Sequence, residues 1–178
     1  MKKYSIFWFR RDLRLDDNVG LFYALANHSN IIPIFIFDEN IINKLPNNDS
    51  RIKIIHDALL SINNKLKIHK TSLGTFKGDP LNVFKELVSS LNIDRVLFNH
   101  DYEPYANKRD SEIKKFLKSQ NIKVDTYKDH VIFEKNEIVK KDGSPYKVYT
   151  PFSKVWLENY NSLKQLNYPS ENFVDKFA

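Results

Sequence analysis

Five short segments rich in β-branched and aromatic residues recur along this chain, and stretches of helical periodicity separate most of them. That alternation constrains the fold more than any other feature. Strands joined by helical crossovers pair in parallel, with right-handed connections and helices over both faces of the sheet. The segments are 5–9 (SIFWF), 31–37 (IIPIFIF), 68–71 (IHKT), 95–99 (RVLFN) and 122–127 (IKVDTY). The second is almost purely apolar, as a strand buried on both faces must be. Asn18 is placed to cap a helix carrying Val19, Phe22, Leu25 and Ala26. Asp49 or Ser50 opens a longer one with Ile52, Ile55, Leu59, Ile62 and Leu66 at spacings of three and four. Asp79-Pro80 supplies N-cap and first turn for Leu81, Phe84, Leu87, Val88 and Leu91, and a further helix holds Ala106, Ile113, Phe116 and Leu117.

The expected architecture is therefore α/β: a doubly wound, Rossmann-like five-stranded parallel sheet with helices on both faces. After Asp129 the pattern changes. Segments 131–133 and 146–149 flank the polar turn KKDGSP, which predicts a β-hairpin or a pair of extended segments. Thr150-Pro151 then opens a last helix with Phe152, Val155, Trp156 and Tyr160. The expected division is a core over 1–130, a hairpin and exit helix over 131–164, and the start of a linker over 165–178.

Composition excludes several classes of function. The chain has 178 residues and no cysteine, which rules out disulfides, thiolate metal sites and a cysteine nucleophile. No apolar run is long enough to cross a bilayer and no signal-peptide core follows the N-terminal lysines, so a soluble, cytoplasmic protein is expected, with no membrane and no metal. The net charge of +6 permits a polyanionic partner, but the lysines are scattered along the sequence, and a solvated basic surface is the simpler reading. Neither GxGxxG nor GxxxxGK[ST] is present, no histidines stand at metal-ligand spacing, and no serine occupies a GxSxG elbow.

In an open α/β sheet, ligands bind outside the carboxyl ends of the strands, where the strand order reverses. Four polar loops follow the first four strands: RRDLRLDDN from Arg10, DEN from Asp38, TSLGTFKG from Thr71 and NHDYEPY from Asn99. A strand order of 3-2-1-4-5 makes the first and fourth loops neighbours and brings Arg10 and Asp12 near Asp101 and Glu103. The mixed charges suit mutual ion pairing as well as ligand binding, above all at Arg11, Arg14, Asp16 and Asp17.

Taken together, FWFRRDLRLDDN, FIFDENII, the SRI that opens the second long helix, NHDYEPYANKRD and YKVYTPFSKVW resemble the photolyase/cryptochrome family in order and interval. The likeness extends from Tyr4 to about Tyr160. It implies the N-terminal light-harvesting domain of a deoxyribodipyrimidine photolyase, an enzyme that repairs pyrimidine dimers in DNA by electron transfer from photoexcited FAD. In such enzymes FAD and damaged DNA bind a larger helical domain, which is absent from these 178 residues, so the resemblance assigns no catalytic residue here. The domain's own FAD-binding partner and, through it, damaged DNA are the implied partners. The same domain of a cryptochrome photoreceptor, or a free-standing nucleotide-binding α/β domain, are the alternatives.

What the resemblance implies for this segment is a slot for an antenna chromophore. Residue by residue it nominates Arg10, Phe37, Asp38, Arg51, Asp101 and Glu103. Arg51 suits a hydroxylate or phosphate, while the carboxylates suit ring, ribityl or ribose donors. Folate-binding relatives carry an Asn-Glu pair two and three positions after the residue corresponding to Glu103. Here Tyr105 and Ala106 stand there, so 8-hydroxydeazaflavin or flavin mononucleotide is favoured over methenyltetrahydrofolate. Each residue also has a structural alternative: Asp38 as a helix cap, Arg51 paired with Asp49, Glu103 locked to Arg10, and Tyr105 packed behind Pro104. Trp156, Tyr160 and Phe173 are expected to form an apolar patch where the chain leaves the domain.

Overall fold

A computed structural model describes residues 2–164 and 167–178. Five parallel strands, β1 (Tyr4–Phe9), β2 (Ile31–Asp38), β3 (Gly74–Gly78), β4 (Ile93–Asn99) and β5 (Lys123–Tyr127), form one sheet in the order β3-β2-β1-β4-β5. The helices are α1 (Val19–Asn27), α2 (Glu39–Ile42), α3 (Ser50–Ile68), α4 (Pro80–Ser90), α5 (Pro104–Ser119) and α6 (Tyr149–Ser162), and a 3-10 helix spans Ser170–Lys176.

Strand alternation divides the interior into two cores. Phe7 and Phe9 of β1 face Leu21 and Leu25 of α1 and Leu59, Ile62 and Leu66 of α3. Ile6 and Trp8 face the opposite way, onto Val83, Phe84 and Leu87 of α4 and Ile113 and Leu117 of α5. Central β1 is buried along nearly its whole length, which is why its sequence reads as an unbroken apolar run.

Three elements depart from the sequence expectation. The third strand lies at Gly74–Gly78, not at 68–71: α3 continues through Ile68, whose side chain is 79% exposed, and closes where Lys70 takes a left-handed φ of 60°. TSLGTFKG is thus mostly the edge strand itself, not a loop over the strand ends.

Between β5 and α6 no hairpin forms, and the chain runs through bends and turns until α6 begins at Tyr149. Lys140 N–H donates to the Ser144 carbonyl at 2.9 Å and Gly143 N–H to the Lys140 carbonyl at 2.9 Å, but no ladder follows this turn. Val131 and Ile132 are exposed and only Ile138 is buried, so no apolar face pins a strand register.

The third departure is the C-terminal tail. Residues 165 and 166 of the expected linker lie outside the described residues, but the residues after them pack on the domain. Phe173 meets Phe22 of α1 at 5.7 Å, Phe177 enters the α1/α3 core, and Ala178 N–H donates to the Ile31 carbonyl at 2.8 Å. Phe173 therefore does not join the aromatic patch of α6, where Trp156 stacks on Tyr160 at 5.2 Å and meets Phe133 edge-on at 5.5 Å.

Candidate functional site

The carboxyl ends of β1, β2 and β4, with α2 and the starts of α3 and α5, enclose a cleft of about 310 Å³. Its apolar walls come from Phe35 and Phe37 of β2, Ile41 and Ile42 of α2, Leu45, and Ile52 and Ile55 of α3. All six residues nominated from the sequence line it: Arg10, Phe37, Asp38, Arg51, Asp101 and Glu103.

Beneath the cleft lies a buried set of charges. Arg10 continues β1 in the direction of Trp8 and donates to Asp110 Oδ2 at 2.6 Å and to the Asn99 carbonyl. Its guanidinium sits 5.1 Å from the Trp8 ring centre and 4.7 Å from that of Phe98. Burial pushes the Arg10 pKa down, against the attraction of Asp110.

Arg109 of α5 donates to Asp110 Oδ1 at 3.0 and 3.1 Å, lies 3.6 Å from Asp38 Oδ2, and is 5.0 Å from the Trp8 ring centre. Two guanidiniums thus share one aromatic ring and one carboxylate, an arrangement tolerable only because cation–π attraction and Asp110 both act on them. Trp8 Nε1 is buried with no partner among the described residues.

Asp38 plays two parts. One oxygen caps α2 by accepting from Asn40 N–H at 3.0 Å, and the other accepts from the Tyr105 hydroxyl at 2.7 Å. Burial and the neighbouring Asp38 charge push the Tyr105 phenol up to about 12. Tyr105 is therefore a polar strut across the cleft, more than packing behind Pro104.

The rim pairs two arginines with three carboxylates. Arg51 chelates Asp49 through Nε at 2.9 Å and a terminal nitrogen at 2.6 Å, holding the Asp49 carboxyl at about 2. Arg11 contacts Glu103 at 2.6 Å and Asp101 at 3.4 Å, and its pKa is raised by the hydrogen bond to Glu103. Both arginine side chains, though ion-paired, remain more than half exposed at the cleft mouth.

These contacts redistribute the roles expected from sequence. Glu103 is locked by Arg11, not by Arg10. Arg10 has two donors committed below the cleft, to Asp110 and the Asn99 carbonyl, and Arg11, assigned to the scaffold, stands at the mouth. Arg14 does hold scaffold: it bridges Asp129 at 2.7 Å and the Asp17 carbonyl at 2.8 Å. Asp16 meets Lys65 at 3.4 Å.

Behind the same loop, fully buried Asn18 accepts from Leu21 N–H at 3.1 Å, and its amide donates to Asp12. Arg109 was missed by the sequence reading, yet a signal existed. Arg109 and Asp110 fall three and four residues after buried Ala106, on the inward stripe continued by Ile113 and Leu117, where ionised groups must find each other.

Among the described residues no helix is long and apolar enough to cross a membrane, and no cluster of three or more His, Asp or Glu side chains is suited to a metal ion. Comparison with known proteins places these features in a family. The family model for DNA photolyase matches residues 5–170. A deoxyribodipyrimidine photo-lyase of Synechococcus sp. is 32% identical over 151 residues, 85% of this chain and 31% of that protein. Cryptochrome-1 of Aedes aegypti is 30% identical over 145 residues, 78% of this chain and 27% of that one. Among solved structures, an archaeal photolyase from Sulfolobus tokodaii with two FAD molecules, described as implicating a novel light-harvesting cofactor, superposes with a TM-score of 0.70 at 30% identity, over 85% of this chain and 34% of that one. The chain thus spans about a third of the length of these relatives. A match running through the sheet and nearly to the end of the chain makes this chain a member of the DNA photolyase family.

Proposed function

We propose that this domain holds a planar antenna chromophore in the cleft over β1, β2 and β4, serving a photolyase that repairs pyrimidine dimers from a FAD-binding helical domain. The observation that carries the proposal is convergence: six residues named from the sequence line one apolar slot whose mouth bears Arg11 and Arg51.

The fit is chemical as well as spatial. At about 310 Å³ the slot stands at the small end of ligand pockets, which run from roughly 300 to 1,000 Å³, so a fused ring system fills it and any longer tail lies at the mouth. Phe35, Phe37 and the isoleucines of α2 and α3 would cover ring faces, and Asp38, Tyr105 and Glu103 supply acceptors and a hydroxyl for polar edges. Arg51 and Arg11 would pair with a phenolate or phosphate. That donor set supports 8-hydroxydeazaflavin or flavin mononucleotide over methenyltetrahydrofolate, in keeping with Tyr105 and Ala106 where folate-binding relatives carry Asn-Glu. The bound group would supply light absorption and excitation transfer; the chain supplies binding, orientation and exclusion of water. The Sulfolobus tokodaii photolyase, with its two FAD molecules, supports a second chromophore in a protein of this kind.

The similarity to Cryptochrome-1 of Aedes aegypti supports a second reading, a photoreceptor carrying the same antenna domain. Repair of a dimer-containing oligonucleotide by the full-length protein separates the two.

The test is to incubate the purified protein with each of the three chromophores, remove the free compound, and record the absorption spectrum. A retained deazaflavin or flavin band is expected, and Arg51→Ala should weaken its retention roughly ten-fold by removing a charge-assisted contact. Failure to retain any of the three would refute the antenna reading.

A further inference from the structure

The lysines that are scattered in sequence are gathered by the fold. Residues 104–147 hold eleven Lys and Arg against seven Asp and Glu, so a quarter of the chain contributes +4 of the net +6. Four of those seven acids are already neutralised, Asp110 by Arg10 and Arg109, Asp125 by Arg95, Asp129 by Arg14 and Glu137 by Lys128, and Glu134 is hydrogen-bonded to His100 and Tyr102. Three of the neutralising arginines, Arg10, Arg14 and Arg95, lie outside the segment and spare its lysines. Exposed Lys114, Lys115, Lys118, Lys123 and Lys135 make no ion pair among the described residues.

These five line a continuous furrow. Two surface depressions, of about 540 and 530 Å³, share Lys114 and Lys118. The first runs from His100 beyond β4 along the outer side of α5 to Lys135, and the second continues past the sheet's β5 edge to Lys123. We propose that this furrow docks the sugar–phosphate backbone of duplex DNA.

Three observations favour that occupant. The lining is rich in donors, with Asn107, Ser111 and Asn121 beside the lysines, whereas an acidic protein partner would call for an apolar centre to the patch. Among the described residues the only rings lining either depression are Tyr102 and His100, the latter tied to Glu134 and Thr126, so a single strand finds no run of stacking platforms. From Asn107 to Lys118 the helix rises about 16 Å, along which one strand of a duplex presents about five phosphates. The furrow shares only Asp101 with the lining of the chromophore cleft, so the proposal is independent of the antenna reading.

The experiment is fluorescence anisotropy of an undamaged, mixed-sequence 20-base-pair duplex titrated with the purified protein between 25 and 200 mM salt. Five lysine–phosphate contacts predict weak, sequence-independent binding with a log K against log salt slope of about −4. K114Q/K118Q/K123Q should reduce the slope to about −2. K53Q/K67Q/K85Q, an equal charge change on α3 and α4, should leave it unaltered, and circular dichroism should show both variants folded. Absence of binding at 25 mM salt, equal slopes for the two triple variants, or competition by polyglutamate as strong, charge for charge, as by the duplex would overturn the proposal.

Discussion

Replacing Gly20 by alanine sets two well-known effects against each other, and the structure decides the sign. In a helix, Gly→Ala ordinarily stabilises by about 1 kcal/mol, through propensity and a less disordered unfolded chain. Here an added Cβ would stand 2.4 Å from Asn99 Oδ1 and 3.2 Å from the Phe7 ring. Asn99 cannot step aside: it is 1% exposed, its Oδ1 accepts from Gly20 N–H at 2.9 Å, and its amide donates to Asp12 at 2.6 Å and Asn18 at 2.8 Å. Forcing the atoms apart costs about 1–3 kcal/mol for overpacking, and weakening a buried hydrogen bond costs about as much again. The net expectation is a loss of about 2–4 kcal/mol, against the sign that propensity alone predicts.

Urea unfolding followed by tryptophan fluorescence measures it, and a double-mutant cycle isolates the cause. In an Asn99→Ala background the obstructing oxygen is gone, while Asn18 and Asp12 still satisfy each other at 3.2 Å. There Gly20→Ala should cost less than about 1 kcal/mol, a coupling of at least about 1–2 kcal/mol. A stabilised single variant, or the same penalty in both backgrounds, would refute the reasoning.

Three further outcomes follow from the same structure. Asp110→Ala strands two buried guanidiniums beside Trp8 with only the more distant Asp38 and Asp12 as counter-ions, and should cost about 3–5 kcal/mol in urea unfolding; a loss below about 1 kcal/mol would contradict the ion network. The Tyr105 phenol titrates at about 12 in the folded protein and near 10 when unfolded, so its contribution to stability is whole below pH 10 and fades as pH rises toward 12. Tyr105→Phe should flatten that part of the stability–pH profile, and an unchanged profile would deny the strut between β2 and α5. Phe177→Ala should cost about 3–5 kcal/mol, because the ring is 9% exposed in the α1/α3 core; a neutral substitution would make the tail a passive linker after all.

How much of the fold was legible in the sequence depends on how completely each element is buried. Strands β1 and β2 are covered on both faces, so nearly every residue must be apolar, and the run announces itself, as it does over Val96–Phe98 of β4. The edge strand β3 has only Phe76 facing the core, between two glycines, and its composition imitates a turn. Ile68 misled for the opposite reason: it is a large apolar side chain that α3 leaves in water. The tail escaped notice because Phe173, Val174 and Phe177 dock through one short 3-10 segment, too brief for a spacing to repeat.

At the cleft, the topological rule located the residues, and pairwise reasoning found the Asp38 cap and the Arg51–Asp49 pair but gave Glu103 the wrong arginine. Placing the carboxyl ends of parallel strands along one edge was enough to bring loops from β1, β2 and β4 together, whatever their charges. The partner of each charge is a different question, set by which side of the backbone a residue leaves. Arg10 shares the parity of Ile6 and Trp8, so its side chain follows theirs toward α5 and meets Asp110, one hundred positions away. Arg11, one residue on, emerges on the other side and meets Asp101 and Glu103. The alternation that identified β1 therefore already contained the distinction, provided it is carried two residues past the strand's last hydrogen bond. What it could not contain is Asp110 itself, because only the packing of α5 on the Trp8 face turns an inward-facing acid on a distant helix into the counter-ion of Arg10.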